Sequence, residues 1–203
     1  MTEQVSTEIF ISTGRVEAFS DGVFAIAITL LAIDLKVPHD IGLQSLATVL
    51  SERWPVFLAF LNSFTTILVI WINHHNLFTH IHRISHLLLL ANGLLLLCVS
   101  FLPFSTSLVA EHFGHAGQST AAVVYTGTFL MLAFAFNLLW RYACRGKRLL
   151  KPNVTDEQVR IINCQYLVGP VFYGLAFVHV TTSLLLTMVL SIFYAITASR
   201  SVC

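Results

Sequence analysis

Long uncharged stretches constrain this chain more than any other feature of its sequence. Residues 54–72, 87–110 and 116–140 contain no Asp, Glu, Lys, Arg or His, and residues 161–199 contain one His and no formal charge. A bilayer core of about 30 Å requires about 20 helical residues. The first three stretches are therefore each predicted to cross a membrane once. The fourth is long enough to cross twice, with a turn near residues 179–182.

The composition excludes a soluble globular domain. Of the 203 residues, 56% are hydrophobic and only 10% are charged, whereas soluble domains carry about 25% charged residues. A net charge of +1 provides no basic field for nucleic acid, so no nucleic-acid partner is expected. The cysteines have no CxxC spacing and predict neither a disulfide framework nor a zinc cluster; they are Cys98, Cys144, Cys164 and Cys203. We predict an all-α integral membrane protein that lies in the lipid bilayer.

A further span precedes these stretches and differs from them in carrying charge. Only residues 22–33 are uncharged there, and the spanning length of residues 16–35 includes Glu17, Asp21 and Asp34. Carboxylates inside a membrane are costly and rarely face lipid, so Glu17 and Asp21 are expected to point at other helices. With this helix placed first, the count is six spans.

Polar side chains within the spans predict that the helices pack together. Asn62, Asn92, Asn137 and Asn163 lie in or beside the uncharged stretches. Each would face lipid without a hydrogen-bond partner unless another helix lay beside it. Residues 1–203 are therefore predicted to form a single transmembrane domain.

The connections between the spans predict an orientation and one helix start. The N-terminal tail, the even-numbered loops and the C-terminus hold nine of the 11 Lys and Arg residues, and the odd-numbered loops hold only Lys36 and Arg53. By the positive-inside rule, both termini are predicted to be cytoplasmic. In the fourth loop, Thr155 is a predicted N-cap, because Asp156 and Glu157 suit the first turn of the helix that follows.

The first helix has two different faces. At 100° per residue, Phe19, Ile26 and Ile33 fall on one line, with Leu30 and Thr29 within about 60° of it. We call Phe19, Ile26, Leu30 and Ile33 the apolar stripe. Glu17 and Asp21 fall on the opposite side. The apolar stripe either packs against a neighbouring helix as ordinary core, or meets symmetry-related copies and lines a pore gated by dewetting.

The start of this helix carries a recognisable motif. Residues 15–22 read Arg-Val-Glu-Ala-Phe-Ser-Asp-Gly. This segment resembles the R-x-x-x-F-S-D signature of the transmembrane protein 175 potassium-channel family, and the matching positions are Arg15, Phe19, Ser20 and Asp21. Residues 71–75, Trp-Ile-Asn-His-His, are similar to the family as well. The resemblance covers the whole chain, because six spans with cytoplasmic termini make up one family repeat.

The resemblance implies a prokaryotic, single-repeat channel in the cell membrane and not an enzyme. Such members are homotetramers that pass potassium through a central pore lined by the first helix of each subunit. The family's constriction residue, seven after the signature Phe, is Ile26 here, and further apolar layers fall on Leu30 and Ile33. The permeant species are monovalent cations, and no cofactor is implied. The sequence contains no TVGYG run for a carbonyl filter, and Thr29 provides the only hydroxyl near the stripe.

Arg15, Ser20 and Asp21 are predicted to have structural roles rather than to contact ions. Asp21 lies on the far side of the helix from Ile26, so its carboxylate is expected to bond into the helix bundle and fix the orientation of the pore helix. Candidate partners for Asp21 are His74, His75 and Asn92.

Two other classes of function remain open from the sequence. Clustered imidazoles are typical of metal-dependent membrane enzymes, and histidines crowd the end of the second span at positions 74, 75, 80, 82 and 86. The predicted topology puts His112 and His115 on the opposite side of the membrane, so one site cannot use both groups. A proton-coupled carrier or proton-leak protein would instead use Asp21 or Glu17. No nucleophile elbow, P-loop or HExxH motif supports a hydrolase or an ATPase.

Overall fold

The computed structural model describes residues 12–36, 45–145 and 149–178. Within these ranges the chain forms helices and no β-strand, which confirms the all-α class. The helices are α1 (Thr13–Leu31), α2 (Leu46–Glu52), α3 (Trp54–Thr79), α4 (His86–Glu111), α5 (Gln118–Cys144) and α6 (Asp156–Val178), and a 3-10 turn, Ala32–Asp34, extends α1.

Three of these helices are long and apolar enough to cross a membrane. α3, α4 and α5 have 26, 26 and 27 residues, so each is about 40 Å long at 1.5 Å per residue and exceeds the hydrocarbon core. They overlap the first three uncharged stretches and continue past the C-terminal end of each. α6 covers the first part of the fourth stretch. The predicted turn at residues 179–182 and the span after it lie outside the described residues.

The predicted start of α6 is confirmed by its hydrogen bonds. The Gln158 backbone N–H donates to Thr155 Oγ1 at 3.3 Å, and the Thr155 N–H donates to Gln158 Oε1 at 2.9 Å. This reciprocal pair is a capping box, which satisfies backbone donors that have no partner within the helix. Asp156 and Glu157 occupy the first turn as expected.

The short helix α2 was not predicted. It lies between the first span and α3, and its N-cap Ser45 accepts a hydrogen bond from the Thr48 backbone N–H at 3.2 Å. Only Val49 of this helix is buried. With seven residues and one buried side chain, α2 has too little apolar periodicity to be recognised in the sequence.

The helices pack around α4, which contacts α1, α3 and α5, while α6 packs against α5. Buried polar groups join neighbouring helices as predicted for the asparagines. Asn62 Nδ2 donates to the Tyr125 hydroxyl at 2.9 Å, which links α3 to α5. Asn137 Nδ2 donates to the Tyr166 carbonyl at 2.6 Å, and Trp140 Nε1 donates to Asn163 Oδ1 at 2.8 Å; both bonds link α5 to α6.

Two loops are joined at the end of the bundle where α3 and α5 finish. The His82 N–H donates to the Leu149 carbonyl at 2.7 Å, and the Lys151 N–H donates to the His80 carbonyl at 2.9 Å. Ile81 and Leu150 form an isolated antiparallel bridge between them. These bonds connect the α3–α4 loop to the α5–α6 loop on the side predicted to be cytoplasmic.

Candidate functional site

The structure divides α1 into a buried face and an exposed face. Val16, Ser20, Phe24, Ala27 and Leu31 are buried against the bundle. The apolar stripe lies on the other side, with Phe19 67%, Ile26 60%, Leu30 41% and Ile33 54% exposed. The described part of the chain does not cover the stripe. This exposure disfavours the interpretation of the stripe as ordinary core among the described helices.

Thr29 lies on the exposed face, one turn beyond Ile26. Its hydroxyl donates to the Ile26 carbonyl at 2.9 Å, so the hydroxyl proton is used within the helix. A hydroxyl oxygen has two acceptor lone pairs. Thr29 Oγ1 can therefore still accept while its proton is bonded to the backbone. An oxygen that binds a cation needs such a free lone pair, and this one lies beside the apolar stripe.

A buried chain of hydrogen bonds fixes the opposite face of α1. Ser20 Oγ donates to the Val16 carbonyl at 2.8 Å and accepts from Asn92 Nδ2 at 3.0 Å. Asn92 Oδ1 lies 2.8 Å from His74 Nε2. Because an amide oxygen only accepts, His74 carries its proton on Nε2 and donates it. The Phe24 ring packs edge-on against His74 at 5.3 Å, so α1 is tied to both α3 and α4.

Asp21 is bonded to a residue that sequence reasoning did not name. Trp71 Nε1 donates to Asp21 Oδ1 at 2.8 Å. Of the three candidates, His74 and Asn92 instead form the chain to Ser20, and His75 stacks on Trp71 with ring centroids 6.4 Å apart. The signal was present, because an indole N–H within a membrane helix requires an acceptor and Trp71 belongs to the pattern at residues 71–75.

Arg15 and Phe19, the other residues of the motif, do not enter these networks. Both are exposed and line a groove of about 460 Å³ between α1 and α4. We call this the α1/α4 groove; its lining residues are Arg15, Val16, Phe19, Leu89, Asn92, Gly93 and Leu96. The groove is mainly apolar, and Arg15 is the only charged residue in its lining.

The remaining histidines do not converge. His80 Nδ1 bonds to the Asn76 carbonyl at 2.7 Å, and its ring packs edge-on against Trp140 at 6.3 Å. His82 and His86 are exposed. Among the residues whose placement is described, no group of three or more His, Cys, Asp or Glu side chains has the arrangement needed to hold a metal ion.

Comparisons with known proteins identify close relatives. Residues 15–103 match the family model described as endosomal/lysosomal potassium channel TMEM175. A potassium channel of Chamaesiphon minutus is 45% identical over 190 residues, which cover 91% of this chain and 94% of that protein. The human endosomal/lysosomal proton channel TMEM175 is 35% identical over 154 residues, 71% of this chain and 31% of that protein.

A solved structure has the same fold. The crystal structure of a lysosomal potassium-selective channel TMEM175 homologue from Chamaesiphon minutus superposes with a TM-score of 0.83 at 44% sequence identity. The superposition covers 92% of this chain and 97% of that one. The similarity therefore extends through the helices that carry the motif, the hydrogen-bond networks and the apolar stripe.

Proposed function

Since the chain belongs to the TMEM175 family, we propose that it forms a potassium-permeable cation channel and is not an enzyme. Four copies assemble around a central pore lined by α1, in the cell membrane of a prokaryote. Each chain crosses the membrane six times with both termini in the cytoplasm. Potassium is the permeant ion, and the channel needs no cofactor. The similarity to proteins named as potassium channels supports this activity.

The single observation that carries the pore assignment is the exposure of the apolar stripe. Ile26 is 60% exposed in the single chain, on a helix whose other face is fixed by buried hydrogen bonds to α3 and α4. Facing a symmetry axis, the four Ile26 side chains form a ring. Leu30 and Ile33 form further rings toward the other side of the membrane.

A ring of aliphatic side chains controls ions by excluding water. When the ring is narrow it dewets, and a hydrated cation cannot pass; when it widens, water and cations enter. Thr29 Oγ1 supplies an acceptor between the Ile26 and Leu30 rings and replaces part of the hydration shell of a cation. The hydrogen bonds that Ser20 and Asp21 accept from Asn92 and Trp71 hold α1 at the rotation that directs the apolar stripe toward the axis.

The experiment that tests the channel is flux from sealed vesicles. Purified protein is reconstituted into liposomes, and electrogenic flux is measured under a potassium gradient, then under sodium and caesium gradients. Fast potassium flux supports the channel, and the comparison of the three ions measures its selectivity. The absence of flux of any ion, from vesicles shown to contain assembled protein, would falsify the proposal.

A second candidate is proton permeation. Asp21 and Glu17 lie near one end of α1, and the human relative is named a proton channel. The same vesicles, loaded with a pH-sensitive dye and free of potassium and sodium, measure proton flux directly. A proton current that persists in Ile26→Asn but is lost in Asp21→Asn and Glu17→Gln would favour a proton path that depends on these acids.

A further inference from the structure

One face of α5 combines large exposed apolar side chains with two arginines at its end. Met131, Phe134 and Leu138 are 60%, 58% and 51% exposed among the described helices. At 100° per residue, Arg141 and Arg145 fall within the same sector of about 80° as these three side chains. Both arginines are exposed. We call these five residues the α5 outer face.

The α5 outer face matches one leaflet of a bilayer in length. Met131 is the middle residue of the 27-residue helix. At 1.5 Å per residue, Arg141 lies about 15 Å and Arg145 about 21 Å from that middle. Half of a hydrocarbon core is about 15 Å thick, and half of a bilayer with its headgroups is about 20–22 Å thick. In a helix centred in the membrane, the three apolar side chains therefore lie at the depth of acyl chains, and both guanidinium groups lie at the depth of lipid phosphates.

The other half of the same sector has a different character. Toward the N-terminus of α5 it carries Thr120, Val123 and Gly127, whose side chains are smaller, and residues 116–140 contain no charge. Large apolar side chains and cations therefore occur together only in the half of α5 that ends on the proposed cytoplasmic side.

The two arginines carry charge that the described chain does not neutralise. Neither forms an ion pair with a residue that the structure describes, including Asp156 and Glu157 at the start of the neighbouring helix α6. α5 itself contains no Asp or Glu. The helix dipole favours cations at this end of α5, but it does not require both to share a face with exposed apolar side chains. A guanidinium group binds phosphate through two parallel hydrogen bonds.

Contacts on its other faces fix the rotation of this end of α5. Ser85, the N-cap of α4, donates from Oγ to the Tyr142 hydroxyl at 3.2 Å. Trp140 lies on the face opposite to the α5 outer face, and its Nε1 donates to Asn163 Oδ1 of α6 at 2.8 Å. These bonds to α4 and α6 keep both arginines turned outward.

We propose that the α5 outer face binds an anionic phospholipid of the cytoplasmic leaflet. Arg141 and Arg145 donate hydrogen bonds to the phosphate oxygens, and the three apolar side chains contact an acyl chain. An anionic headgroup offsets the two positive charges, whereas a zwitterionic headgroup brings a cation of its own. The proposal rests on the proposed topology and not on which ion the pore conducts.

Native mass spectrometry of the detergent-purified full chain measures bound lipid directly. Dioleoylphosphatidylglycerol and dioleoylphosphatidylcholine are compared, because they share their acyl chains and differ in headgroup charge. We expect Arg141→Gln/Arg145→Gln to weaken the affinity for phosphatidylglycerol about tenfold or more, since charge-assisted hydrogen bonds are lost. Binding of phosphatidylcholine should change by less than about twofold. Unchanged affinity for phosphatidylglycerol in the double variant overturns the proposal.

Lys151→Gln provides the matched control, because it removes one exposed cation from the same side of the membrane. The Lys151 N–H donates to the His80 carbonyl, and the His80 ring packs against Trp140, away from the α5 outer face. Its affinity for phosphatidylglycerol should stay within about twofold of that of the unmodified protein. Equal weakening in Lys151→Gln and in the single variant Arg145→Gln would indicate general attraction to positive charge and would overturn the site.

Two further measurements address other occupants of this face. Glycerol phosphate in excess should not displace phosphatidylglycerol; displacement would mean that a free anion binds without an acyl chain, and it overturns the proposal. The mass of the assembly should be the same in the double variant and in the unmodified protein. A smaller assembly with unchanged lipid binding also overturns the proposal, because the face would then contact another copy.

Discussion

Helices α1 and α5 are held in the protein in opposite ways. α5 packs between α4 and α6, and Tyr125, Phe129 and Leu139 along its length are fully buried, while Met131 and Leu138 on its outer face are exposed. Its polar contact with Asn62 is an internal part of that packed bundle. α1 buries one narrow face, and hydrogen bonds through Ser20 and Asp21 fix it, while its apolar stripe stays exposed.

The different ways in which α1 and α5 are held indicate different roles for the two helices. Packing against α4 and α6 positions α5, and its exposed side chains lie on a helix that does not contribute to the apolar stripe. In α1, polar bonds fix the rotation of the helix, so its large apolar side chains remain available to face other copies. Because lipid is as apolar as leucine, apolar burial alone does not specify that rotation, whereas hydrogen bonds are directional and do specify it. Four sets of variants test this contrast.

The largest effect is expected from Ile26→Asn. A polar side chain wets the narrowest ring, so potassium flux should rise on the order of tenfold. The matched control is Met131→Asn on α5, which alters a side chain of equal exposure away from the proposed pore. Liposome flux measured at equal protein content compares the two. Equal flux in both variants, with normal assembly, removes Ile26 from the pore.

Asn92→Leu and Tyr125→Phe separate the two polar networks. Asn92→Leu removes the bonds to Ser20 and His74, and Tyr125→Phe removes the hydroxyl that contacts Asn62 and Ser63. Each change should lower the free energy of unfolding by about 1–3 kcal/mol, because buried partners are left unsatisfied.

Only Asn92→Leu should also change channel opening, since it alone releases α1. Thermal unfolding in detergent reports stability for both variants, and single-channel recordings report open probability. If Tyr125→Phe altered opening as much as Asn92→Leu did, the proposed division between the two helices would be wrong.

Leu30→Ala and Ile33→Ala should also raise potassium flux, as Ile26→Asn does. The expected increase is only about twofold, because the rings of Leu30 and Ile33 lie beyond the narrowest point. Leu138→Ala on α5, at a side chain 51% exposed, provides the control for loss of an exposed aliphatic residue. A larger effect at Leu30 than at Ile26 would move the constriction one turn along the helix.

The smallest effect is expected from Trp71→Phe. This change removes the donor to Asp21 but keeps an aromatic ring beside His75. A single hydrogen bond between membrane helices contributes about 0.6 kcal/mol, so stability should fall slightly while selectivity for potassium over sodium stays the same. Asp21→Asn should behave similarly. A change in selectivity with unchanged stability and opening would instead place Asp21 in contact with ions.

Much of this organisation follows from local properties of the sequence. The uncharged stretches predicted α3, α4 and α5, because a membrane excludes charge over a fixed thickness. Thr155 predicted the start of α6, because capping depends on residues within one turn. The angular pattern of α1 separates the apolar stripe from Glu17 and Asp21, because helical periodicity is also a local property. α2 was missed, because its short sequence has no comparable periodicity.

The tertiary structure decided which groups meet. No local pattern chooses among partners for Asp21, because residues 50 positions apart become neighbours only through helix packing, and the observed partner is Trp71. It also did not distinguish a buried apolar stripe from an exposed one, since both have the same helical period. The exposure of that stripe and the α1/α4 groove depend on how α1 lies against α3 and α4. Periodicity and charge are local quantities, whereas exposure is a property of the whole packed chain.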